Sequence, residues 1–343
     1  MNDTLSLDIP SLLSQFLGAS EAKPGSENKM MKAAVQRRYG GPEEMHQEET
    51  AKPVPTAKQV LIEIHATNVS AGDWRVNTST VPSAWMKPIL RLVFGWSGPR
   101  QPIRGITAAG MIVQVGDMVD ASSASSLKVG DRVYFINSLG AGCLAEFIAL
   151  SPDSAVMAKI PAGMDYVHAA PLSFGAMTAL HFLNEKTIKS GMKVLVYGAS
   201  GAVGSYAIQL AKHFGAGEVT AVASAGHHAA LRELGADKLI DYKTTDFRNA
   251  EDGEKYDLIF VAVNQPVTKQ SCKCVLAKDA KFCSVESLTD ESSKKLQTLN
   301  AIVESGHLKT LIDKVYPLDQ YREAHEHVYA GHKRGNVVID MKT

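Results

Sequence analysis

Apolar and polar residues alternate in several short runs over the first third of the chain. A period of two is typical of half-buried β-strands. It predicts strands at 32–36, 59–67, 109–115 and 132–137, separated by turns that contain Gly, Asp and Ser. Such a series of short strands predicts a compact, barrel-like β domain.

Beyond Pro161 the pattern changes to helices and then to strands that alternate with helices. The apolar run Lys193–Tyr197 precedes a helical pattern at Ser205–Phe214 and a second β-type run at Glu218–Ala223. Further strands are predicted at 239–241, 258–263 and 281–285. This alternation predicts a parallel sheet covered by helices. The last β-type run, Asn336–Met341, is too short for a domain of its own, so we expect it to rejoin the N-terminal β domain.

A glycine-rich turn connects the first of these strands to its helix. Its residues are Gly198, Ala199, Ser200, Gly201, Ala202, Val203 and Gly204. We expect Gly198 to turn the chain sharply, Gly201 to leave room for a pyrophosphate, and Gly204 to let the helix pack closely on the strand. The N-terminus of the helix then attracts phosphate. Strand, glycine turn, helix and strand predict a dinucleotide-binding unit.

The end of the β-type run Glu218–Ala223 indicates which cofactor the site prefers. Sites selective for NAD carry Asp or Glu about twenty residues past the glycines, where the carboxylate holds the ribose 2′-hydroxyl. Here Ala223 and Ser224 occupy that place. Ser224 can donate a hydrogen bond, and His227, His228 or Lys243 can supply positive charge. The pattern favours NADPH over NADH, and a site that accepts both is the alternative.

Composition narrows the class of protein. Hydrophobic residues make up 45% and charged residues 21% of the 343 residues, and the formal net charge is zero. These values suit a soluble enzyme and argue against a nucleic-acid partner, because such binders carry a basic excess. No apolar run reaches the roughly 18 residues that span a bilayer. Four cysteines are too few for a disulfide framework, which favours a reducing, cytoplasmic location.

The first thirty residues differ from the rest. They combine acidic residues with Ser, Pro and Gly around one apolar patch, Ile9–Leu17. Neither a secretory signal nor a mitochondrial presequence has this composition, and we predict a mostly disordered extension. The predicted organisation is an extension at 1–30, a β-rich domain at 31–155, a nucleotide-binding domain at 156–298, and a C-terminal return to the β-rich domain at 299–343.

Short motifs spread along the chain add a family resemblance. They are Lys32-Ala33-Ala34, Val69–Trp74, Val129–Val133, Thr178-Ala179-Leu180, the glycine turn, Leu234–Asp237 and Gly335–Val338. In this order they resemble the medium-chain dehydrogenase/reductase superfamily, in its zinc-independent quinone oxidoreductase-like branch. The resemblance implies an α/β fold with a GroES-like β-rich catalytic domain and a Rossmann domain built on a doubly wound parallel sheet. It also implies a cleft between them in which NADPH reduces a quinone or the C=C bond of an α,β-unsaturated carbonyl compound.

Local alignment within that superfamily places the Cys, His and Cys ligands of a catalytic zinc at Ser70, Ile106 and Ser173. A hydroxyl is a poor substitute for a thiolate, and isoleucine cannot bind a metal. Cys272 and Cys274 are expected on one face of a strand, and His325 and His327 on a helix about 200° apart. Both pairs are better explained as surface or core residues, so we expect no metal.

The resemblance also assigns roles to single residues. Ser70 stands where relatives carry an asparagine near the nicotinamide, so it is a candidate catalytic contact, with turn capping as the alternative. Thr178 matches a threonine at the nicotinamide end, with a plain helix position as the alternative. Tyr242 matches a residue on the adenosine side, and Asn336 belongs to a C-terminal stretch that closes over the cofactor. Asp73 is expected to be structural.

Three tryptophans, Trp74, Trp85 and Trp96, are candidates for an apolar substrate mouth, although packing is the commoner role of tryptophan. Three departures from the family pattern stand beside them. Ile106-Thr107 carries no cleft carboxylate where relatives have one, and Asn264-Gln265 changes a loop near the nicotinamide. The segment 284–303 is short, which puts the edge strand that many relatives use for dimerisation in doubt.

The leading hypothesis is therefore an NADPH-dependent, zinc-independent reductase of quinones or enones, with a homodimer left open. One alternative is an NADPH-binding redox sensor or partner-binding protein with weak or lost turnover, which Asn264 and the extension would suit. A second alternative, a short-chain dehydrogenase, rests only on the spacing of Tyr329 and Lys333. Proteins of that class begin at their glycine turn, whereas here almost two hundred residues precede it.

Overall fold

A computed structural model describes residues 29–80, 91–92, 94–119, 126–138, 140–153, 155–249, 253–264, 267–287, 289–331 and 333–343. The predicted extension lies almost entirely outside these residues, as do Trp85 and Gln265.

The strands of the described residues, in chain order, are β1 Met30–Gln36, β2 Met45–Ala51, β3 Val60–Val69, β4 Thr107–Val115, β5 Arg132–Ile136, β6 Phe147–Leu150, β7 Val156–Lys159, β8 Lys193–Tyr197, β9 Glu218–Val222, β10 Lys238–Ile240, β11 Tyr256–Val261, β12 Leu276–Ser284, β13 Ile312–Pro317 and β14 Asn336–Asp340. The α-helices are α1 Ala71–Thr78, α2 Tyr166–Ala169, α3 Gly175–Phe182, α4 Ala202–His213, α5 His228–Glu233, α6 Ser293–Glu304 and α7 Tyr321–Tyr329.

The second half of the chain builds a parallel sheet in the order β10-β9-β8-β11-β12. Its central strands are buried on both faces, which explains their continuous apolar runs. This is the order of the first five strands of a doubly wound dinucleotide-binding sheet. The Rossmann prediction is confirmed, and within the described residues the sheet ends at β12.

The β-rich part is a mostly antiparallel sheet in the order β13-β14-β3-β4-β5-β7, with β6 also paired to β3. A separate hairpin joins β1 to β2. The last strand, β14, lies antiparallel to β3, with Val337 opposite Val69. Residues from both ends of the chain therefore share one sheet, and α7 packs against it. Together the two sheets confirm the predicted fold class of a GroES-like domain with a Rossmann domain.

One apolar cluster connects the two sheets. It includes Ala66 and Tyr134 of the antiparallel sheet, Leu172 before α3, and Val196 and Phe260 of the parallel sheet. Polar bonds cross the same boundary, because the Tyr134 hydroxyl donates to the Leu296 carbonyl at 3.0 Å and lies 2.7 Å from Asn300 Oδ1. The two halves thus pack as one body around the crevice between them.

Some local predictions differ from the structure. Helix α4 starts at Ala202, three residues earlier than the apolar spacing predicted, because the glycine turn leads directly into it. Strand β11 ends at Val261, two residues early. The expectation that Cys272 and Cys274 share a strand is wrong: they lie in consecutive turns that precede β12. Those turns follow a loop, so no sheet partner holds them extended.

Candidate active site

The three glycines of the turn have three different surroundings. Gly198 has a φ of +76°, and a Cβ there would lie 2.4 Å from Val263 Cγ1. A Cβ on Gly204 would lie 2.3 Å from the Gly198 carbonyl oxygen, so α4 packs on the turn through bare backbone. A Cβ on Gly201 would meet only that same oxygen, at 3.5 Å. Gly198 and Gly204 shape the turn, whereas Gly201 borders open space.

The open side of Gly201 fits a dinucleotide. Gly201 is the N-cap of the twelve-residue helix α4 and provides no side-chain cap. The first N–H groups of α4 therefore stay available to an anion, and the helix dipole adds partial positive charge. The crevice at the carboxyl ends of β8 and β11 is where dinucleotides bind to this type of sheet. The residues present fit the pyrophosphate of a nicotinamide cofactor.

A segment from the C-terminal part of the chain crosses the glycine turn. The Gly335 N–H donates to the Ser200 carbonyl at 2.7 Å, and Gly335 forms a parallel bridge with Gly201. Gly335 has a φ of +76°, and a Cβ there would lie 2.2 Å from the Leu311 oxygen. Asn336 follows it, fully buried, and donates to the same oxygen through Nδ2 at 3.1 Å. Asn336 thus lies beside the glycine turn, and its place over a bound cofactor stays a prediction.

Basic residues gather near the end of β9. Ser224 is half-buried there, and no carboxylate stands at Ala223 or Ser224. The pKa of His227 is lowered, first because burial disfavours its charged form and then because Arg334 repels it. Sequence reasoning identified His227 and missed Arg334. The positive charge could have been noticed in Lys333-Arg334, but only the fold shows that this pair lies across from β9.

Charge around His227 comes from several elements. Lys243 and His228 also lower its pKa, whereas Asp313 of β13 raises it. Lys333 donates to the Gly335 carbonyl at 2.5 Å, and desolvation lowers its pKa to about 8. Tyr242, 48% exposed, follows β10 beside this cluster. We call Ser224, His227, Lys243 and Arg334 the basic cluster.

The opposite end of the crevice holds the other candidates. Val263 covers Gly198, and Asn264 is exposed immediately after it. Thr178 is half-buried on α3, one turn after Phe174, whose carbonyl accepts its N–H at 2.9 Å. The ring of Phe174 reaches towards Gly72 of α1, where a Cβ would lie 3.1 Å from Cε2. Thr178 and α1 therefore border the same part of the crevice.

Ser70 lies at the end of β3 and caps α1 with a buried side chain. Its Oγ accepts from the N–H groups of Gly72 and Asp73, at 3.2 and 3.4 Å, and donates to Asp73 Oδ2 at 2.7 Å. Asp73 also accepts the Ser70 N–H at 2.8 Å, which completes a capping box. The structure gives Ser70 this capping role, and contact with a nicotinamide stays a prediction.

The second oxygen of Asp73 holds the neighbouring strand. Asp73 Oδ1 accepts the Ile106 N–H at 3.0 Å, and complete burial raises the pKa of its carboxyl. Next to it the buried Arg104 donates from Nε to Asn77 Oδ1 at 2.8 Å, and burial lowers its pKa. We call Ser70, Asp73, Asn77, Arg104 and Ile106 the Ser70 corner.

Helix α7 extends this network. The Tyr329 hydroxyl accepts from Asn77 Nδ2 at 3.2 Å and lies 3.1 Å from His325 Nδ1. His325 is buried, and desolvation lowers its pKa to about 3. Lys333 bonds to Gly335 instead, so Tyr329 and Lys333 serve different networks. The spacing that suggested a short-chain dehydrogenase is accounted for by these separate contacts.

The segments that carry the three positions aligned with zinc ligands approach one another around Gly72. A Cβ on Gly72 would lie 2.9 Å from Ile106 Cδ1 and 3.1 Å from the ring that follows Ser173. Ser173 donates to the Ala170 carbonyl at 2.9 Å, Ser70 is committed to Asp73, and Ile106 is a hydrocarbon. These side chains do not fit a catalytic zinc. Among the described residues, no group of three or more His, Cys, Asp or Glu is close enough to hold a metal ion.

The remaining predicted features are dispersed. Trp74 is 37% exposed and lies edge-on to Tyr329, with ring centroids 6.0 Å apart, and Trp96 is 67% exposed. His325 and His327 lie on a helix and have separate partners: His325 contacts Tyr329, and His327 contacts Asp313 at 3.1 Å.

All four cysteines are free. Over the described ranges, no helix is long and apolar enough to span a membrane.

Comparisons with known proteins agree with this geometry. Residues 56–162 match the alcohol dehydrogenase GroES-like domain, and residues 234–339 match a family described as zinc-binding dehydrogenase. The chain is 30% identical over 329 residues to the NADPH-dependent alkenal/one oxidoreductase, chloroplastic, of Arabidopsis thaliana, covering 91% of this chain and 80% of that protein.

Two further relatives are also named as reductases or oxidoreductases. The 2-methylene-furan-3-one reductase of Solanum lycopersicum is 33% identical over 257 residues, which span 70% of this chain and 64% of that protein. The solved structure of the quinone oxidoreductase from Coxiella burnetii superimposes with a TM-score of 0.74 at 25% identity, over 92% of this chain and 100% of that one. The chain therefore belongs to the quinone oxidoreductase-like branch of the medium-chain dehydrogenase/reductase superfamily, and it is an oxidoreductase.

Proposed function

We propose that this oxidoreductase uses NADPH, in preference to NADH and without a catalytic zinc, to reduce quinones or the C=C bond of α,β-unsaturated carbonyl compounds. The observation that carries the proposal is the glycine turn, with an open face at Gly201 and the basic cluster at the end of β9. When bound, the cofactor supplies the hydride, and the protein binds, orients and shields the reactants.

The preference for NADPH rests on the basic cluster. A 2′-phosphate carries negative charge that Arg334 and Lys243 attract, and Ser224 can donate a hydrogen bond to it. A carboxylate at Ala223 or Ser224 would repel the same phosphate, and this chain has none there. Arg334 matters most, because a guanidinium binds phosphate with two parallel hydrogen bonds. Tyr242 is the candidate for stacking on the adenosine.

The class of acceptor is supported by the relatives. Their names specify an alkenal/one oxidoreductase, a methylene-furanone reductase and a quinone oxidoreductase. All three kinds of acceptor share a C=C bond conjugated to a carbonyl group. In this chain Thr178 and the rim formed by Phe174 and Gly72 border the nicotinamide end, with Asn264 on the other side. We propose Thr178 as the polar contact there, and Ser70 as a contact only if its capping bonds open.

The test of cofactor choice is an equilibrium titration with NADPH and with NADH, for the wild type and for Arg334→Ala. We expect Arg334→Ala to weaken NADPH binding at least tenfold, about 1.4 kcal/mol, and to leave NADH within twofold. Arg38→Ala is the matched control, because Arg38 is exposed on the β-rich domain. Equal losses for both cofactors would contradict the 2′-phosphate assignment.

Turnover is then measured with a neutral enone and a quinone, before and after treatment with a zinc chelator. We expect NADPH oxidation that depends on acceptor and that the chelator leaves unchanged. Binding of NADPH without consumption would favour the alternative of a redox sensor, which the exposed Asn264 near Gly198 supports. A cytoplasmic location and a homodimer stay predictions from the sequence.

A further inference from the structure

Residues 285–287 and 289–292 belong to the connection between β12 and α6. They leave the parallel sheet at its carboxyl edge, where Val285 N–H donates to the Val261 carbonyl at 3.1 Å. Ligands of such sheets bind outside this edge. Because the basic cluster marks the adenosine half at β9, the strands β11 and β12 border the nicotinamide half. Glu291 stands near the end of this connection, immediately before the cap of α6 at Ser292.

Glu291 is bonded to the β-rich half of the molecule. Ser138 Oγ donates to Glu291 Oε1 at 2.6 Å, across 153 positions of the chain. Ser138 belongs to the turn after β5, and its neighbour Asn137 donates from its N–H to the Ile106 carbonyl at 2.7 Å. Ile106 in turn packs on Gly72, so the bond from Ser138 ties Glu291 to the rim of the Ser70 corner.

A second contact places the same connection beside the helix of Thr178. Asp290 Oδ1 lies 2.5 Å from His181 Nδ1, and His181 is one turn after Thr178 on α3. Glu291 therefore lies between α3 and the turn after β5, where the two halves of the molecule face each other. Ile106 and Thr107 provide no carboxylate there, and Glu291 provides one through its bond to Ser138.

The charge of Glu291 is not cancelled by its neighbours. Lys295 attracts the Glu291 carboxylate, but its Nζ lies 2.5 Å from Asp290 Oδ1 and 3.0 Å from His181 Nδ1. Lys295 and Asp290 neutralise each other, which leaves one negative charge when Glu291 is ionised. Glu291 is reached by solvent, yet protein encloses it closely enough that desolvation raises the pKa of its carboxyl, against the hydrogen bond from Ser138 and the attraction of Lys295.

We propose that Glu291, held by Ser138 across the crevice, is a specificity-determining residue that disfavours acceptors carrying negative charge. This inference rests on the proposed reduction of quinones and enones. The acceptor stacks against the nicotinamide half of the crevice, and an ionised carboxylate on its rim repels a carboxylate on the acceptor. A neutral acceptor carries no charge for this carboxylate to repel, so its binding is not weakened.

A dependence on pH follows. The penalty against an anionic acceptor is present when Glu291 is ionised and disappears as the pH falls through its pKa. Ser138→Ala removes a hydrogen bond that favours the carboxylate, which raises the pKa of Glu291. The penalty against anionic acceptors then disappears at a higher pH. His181, Asp290 and Lys295 face the same region, and all three are still present in a Glu291→Gln variant. Any pH dependence of the ratio of anionic to neutral kcat/KM that is present in the wild type and absent from this variant is therefore assigned to Glu291.

The experiment compares kcat/KM for two enones of similar size, one neutral and one with a carboxylate away from the C=C bond. We expect Glu291→Gln to raise the ratio of anionic to neutral kcat/KM about tenfold at pH 7 and to flatten its dependence on pH. The control is Glu304→Gln, the same charge change at the far end of the twelve-residue helix α6, about 18 Å away. It should leave the ratio unchanged.

Equilibrium binding provides a second readout that needs no turnover. The saturated products of the two enones are titrated calorimetrically into the protein with NADP⁺ present. Glu291→Gln should tighten binding of the anionic product about tenfold and leave the neutral product and NADP⁺ unaffected. If the neutral enone is turned over but Glu291→Gln leaves the ratio of anionic to neutral kcat/KM unchanged, the role of Glu291 is overturned and the proposed function stands. Absence of turnover with every acceptor would instead overturn the proposed function.

Discussion

The glycine turn and the Ser70 corner border the same crevice and use their polar groups in opposite ways. In the glycine turn, the cap of α4 has no side chain, and the space beside Gly201 is open. In the Ser70 corner, Asp73 accepts the Ser70 N–H and hydroxyl and the Ile106 N–H within a buried site. One region leaves its donors for a ligand, and the other satisfies them internally.

The difference shows how binding and rigidity are separated in this fold. A phosphate needs backbone donors that the protein itself has not satisfied. A buried loop needs the reverse, because an unsatisfied buried donor costs about 1–3 kcal/mol. Gly201, the open position of the glycine turn, is therefore expected to lose function when it is altered, whereas the closely packed Gly204 and the Ser70 corner are expected to lose stability. The following variants test this division, from the largest expected effect to the smallest.

Asp73→Ala should be the most damaging change. It leaves the N–H groups of Ser70 and Ile106 without their acceptor in a buried site, which costs about 4 kcal/mol of unfolding free energy. Denaturant unfolding measures the loss. Asp319→Ala, on the exposed surface before α7, is the control. A loss below about 1 kcal/mol would show that the corner is not held by this carboxylate.

Gly204→Ala should destabilise the protein by about 3 kcal/mol. The added Cβ would lie 2.3 Å from the Gly198 oxygen and 2.7 Å from Ala199 Cα, and backbone cannot move aside as a side chain can. Thermal and denaturant unfolding test this. A stable Gly204→Ala variant would mean that α4 tolerates a shift away from the turn.

Gly201→Ala sharpens the comparison, since it changes the same turn without a clash. Gly201 has a φ of −75°, and the added Cβ would meet only one oxygen at 3.5 Å, so stability should change by less than about 0.5 kcal/mol. The methyl group would occupy the space that we assign to pyrophosphate. We expect at least tenfold weaker NADPH binding, about 1.4 kcal/mol. Unchanged affinity would place the pyrophosphate elsewhere.

His325, which contacts the Tyr329 hydroxyl beside the Ser70 corner, makes the stability of the protein depend on pH. Its pKa is about 3 in the folded protein against 6.5 as the ordinary value, so the unfolded chain binds the proton more readily between these limits. Stability is thus full above pH 6.5 and falls by up to about 1.4 kcal/mol per unit as the pH drops towards 3. The unfolding free energy should be measured against pH for the wild type and for His325→Gln. Between pH 3 and 6.5 the two slopes should differ by up to the amount that corresponds to one bound proton. Parallel curves would exclude His325 as the acid-sensitive group.

Local patterns were sufficient for much of the fold. The glycine turn, its flanking strand and the strand β9 are contiguous in sequence, and each residue's task depends on neighbours a few positions away. The predicted strand at 193–197 coincides with β8. Boundaries were less accurate where a turn runs into a helix, as at Ala202, because apolar spacing begins only after the first helical turn. Strands β2 and β13 carry many polar residues and were not predicted.

The candidate site was only partly predictable. His227 and Lys243 were named from the sequence as possible sources of positive charge near Ser224, and their contact with a cofactor stays a prediction. Arg334 was not named, because it reaches the same cluster from the segment that crosses Ser200. Ser70 was a plausible cofactor contact from the family pattern and stays one, but the structure adds that its hydroxyl is bonded to Asp73. No spacing rule shows which partner a hydroxyl will find.

By itself the sequence determined the class of cofactor site and the family, since a glycine turn between strand and helix encodes its own backbone geometry. Only the tertiary structure decided which side chains meet across the crevice. Ser138 and Glu291 are 153 residues apart in the chain and 2.6 Å apart in space. Such contacts depend on how two separately patterned sheets pack together, and the period of apolar residues along either one does not contain that information.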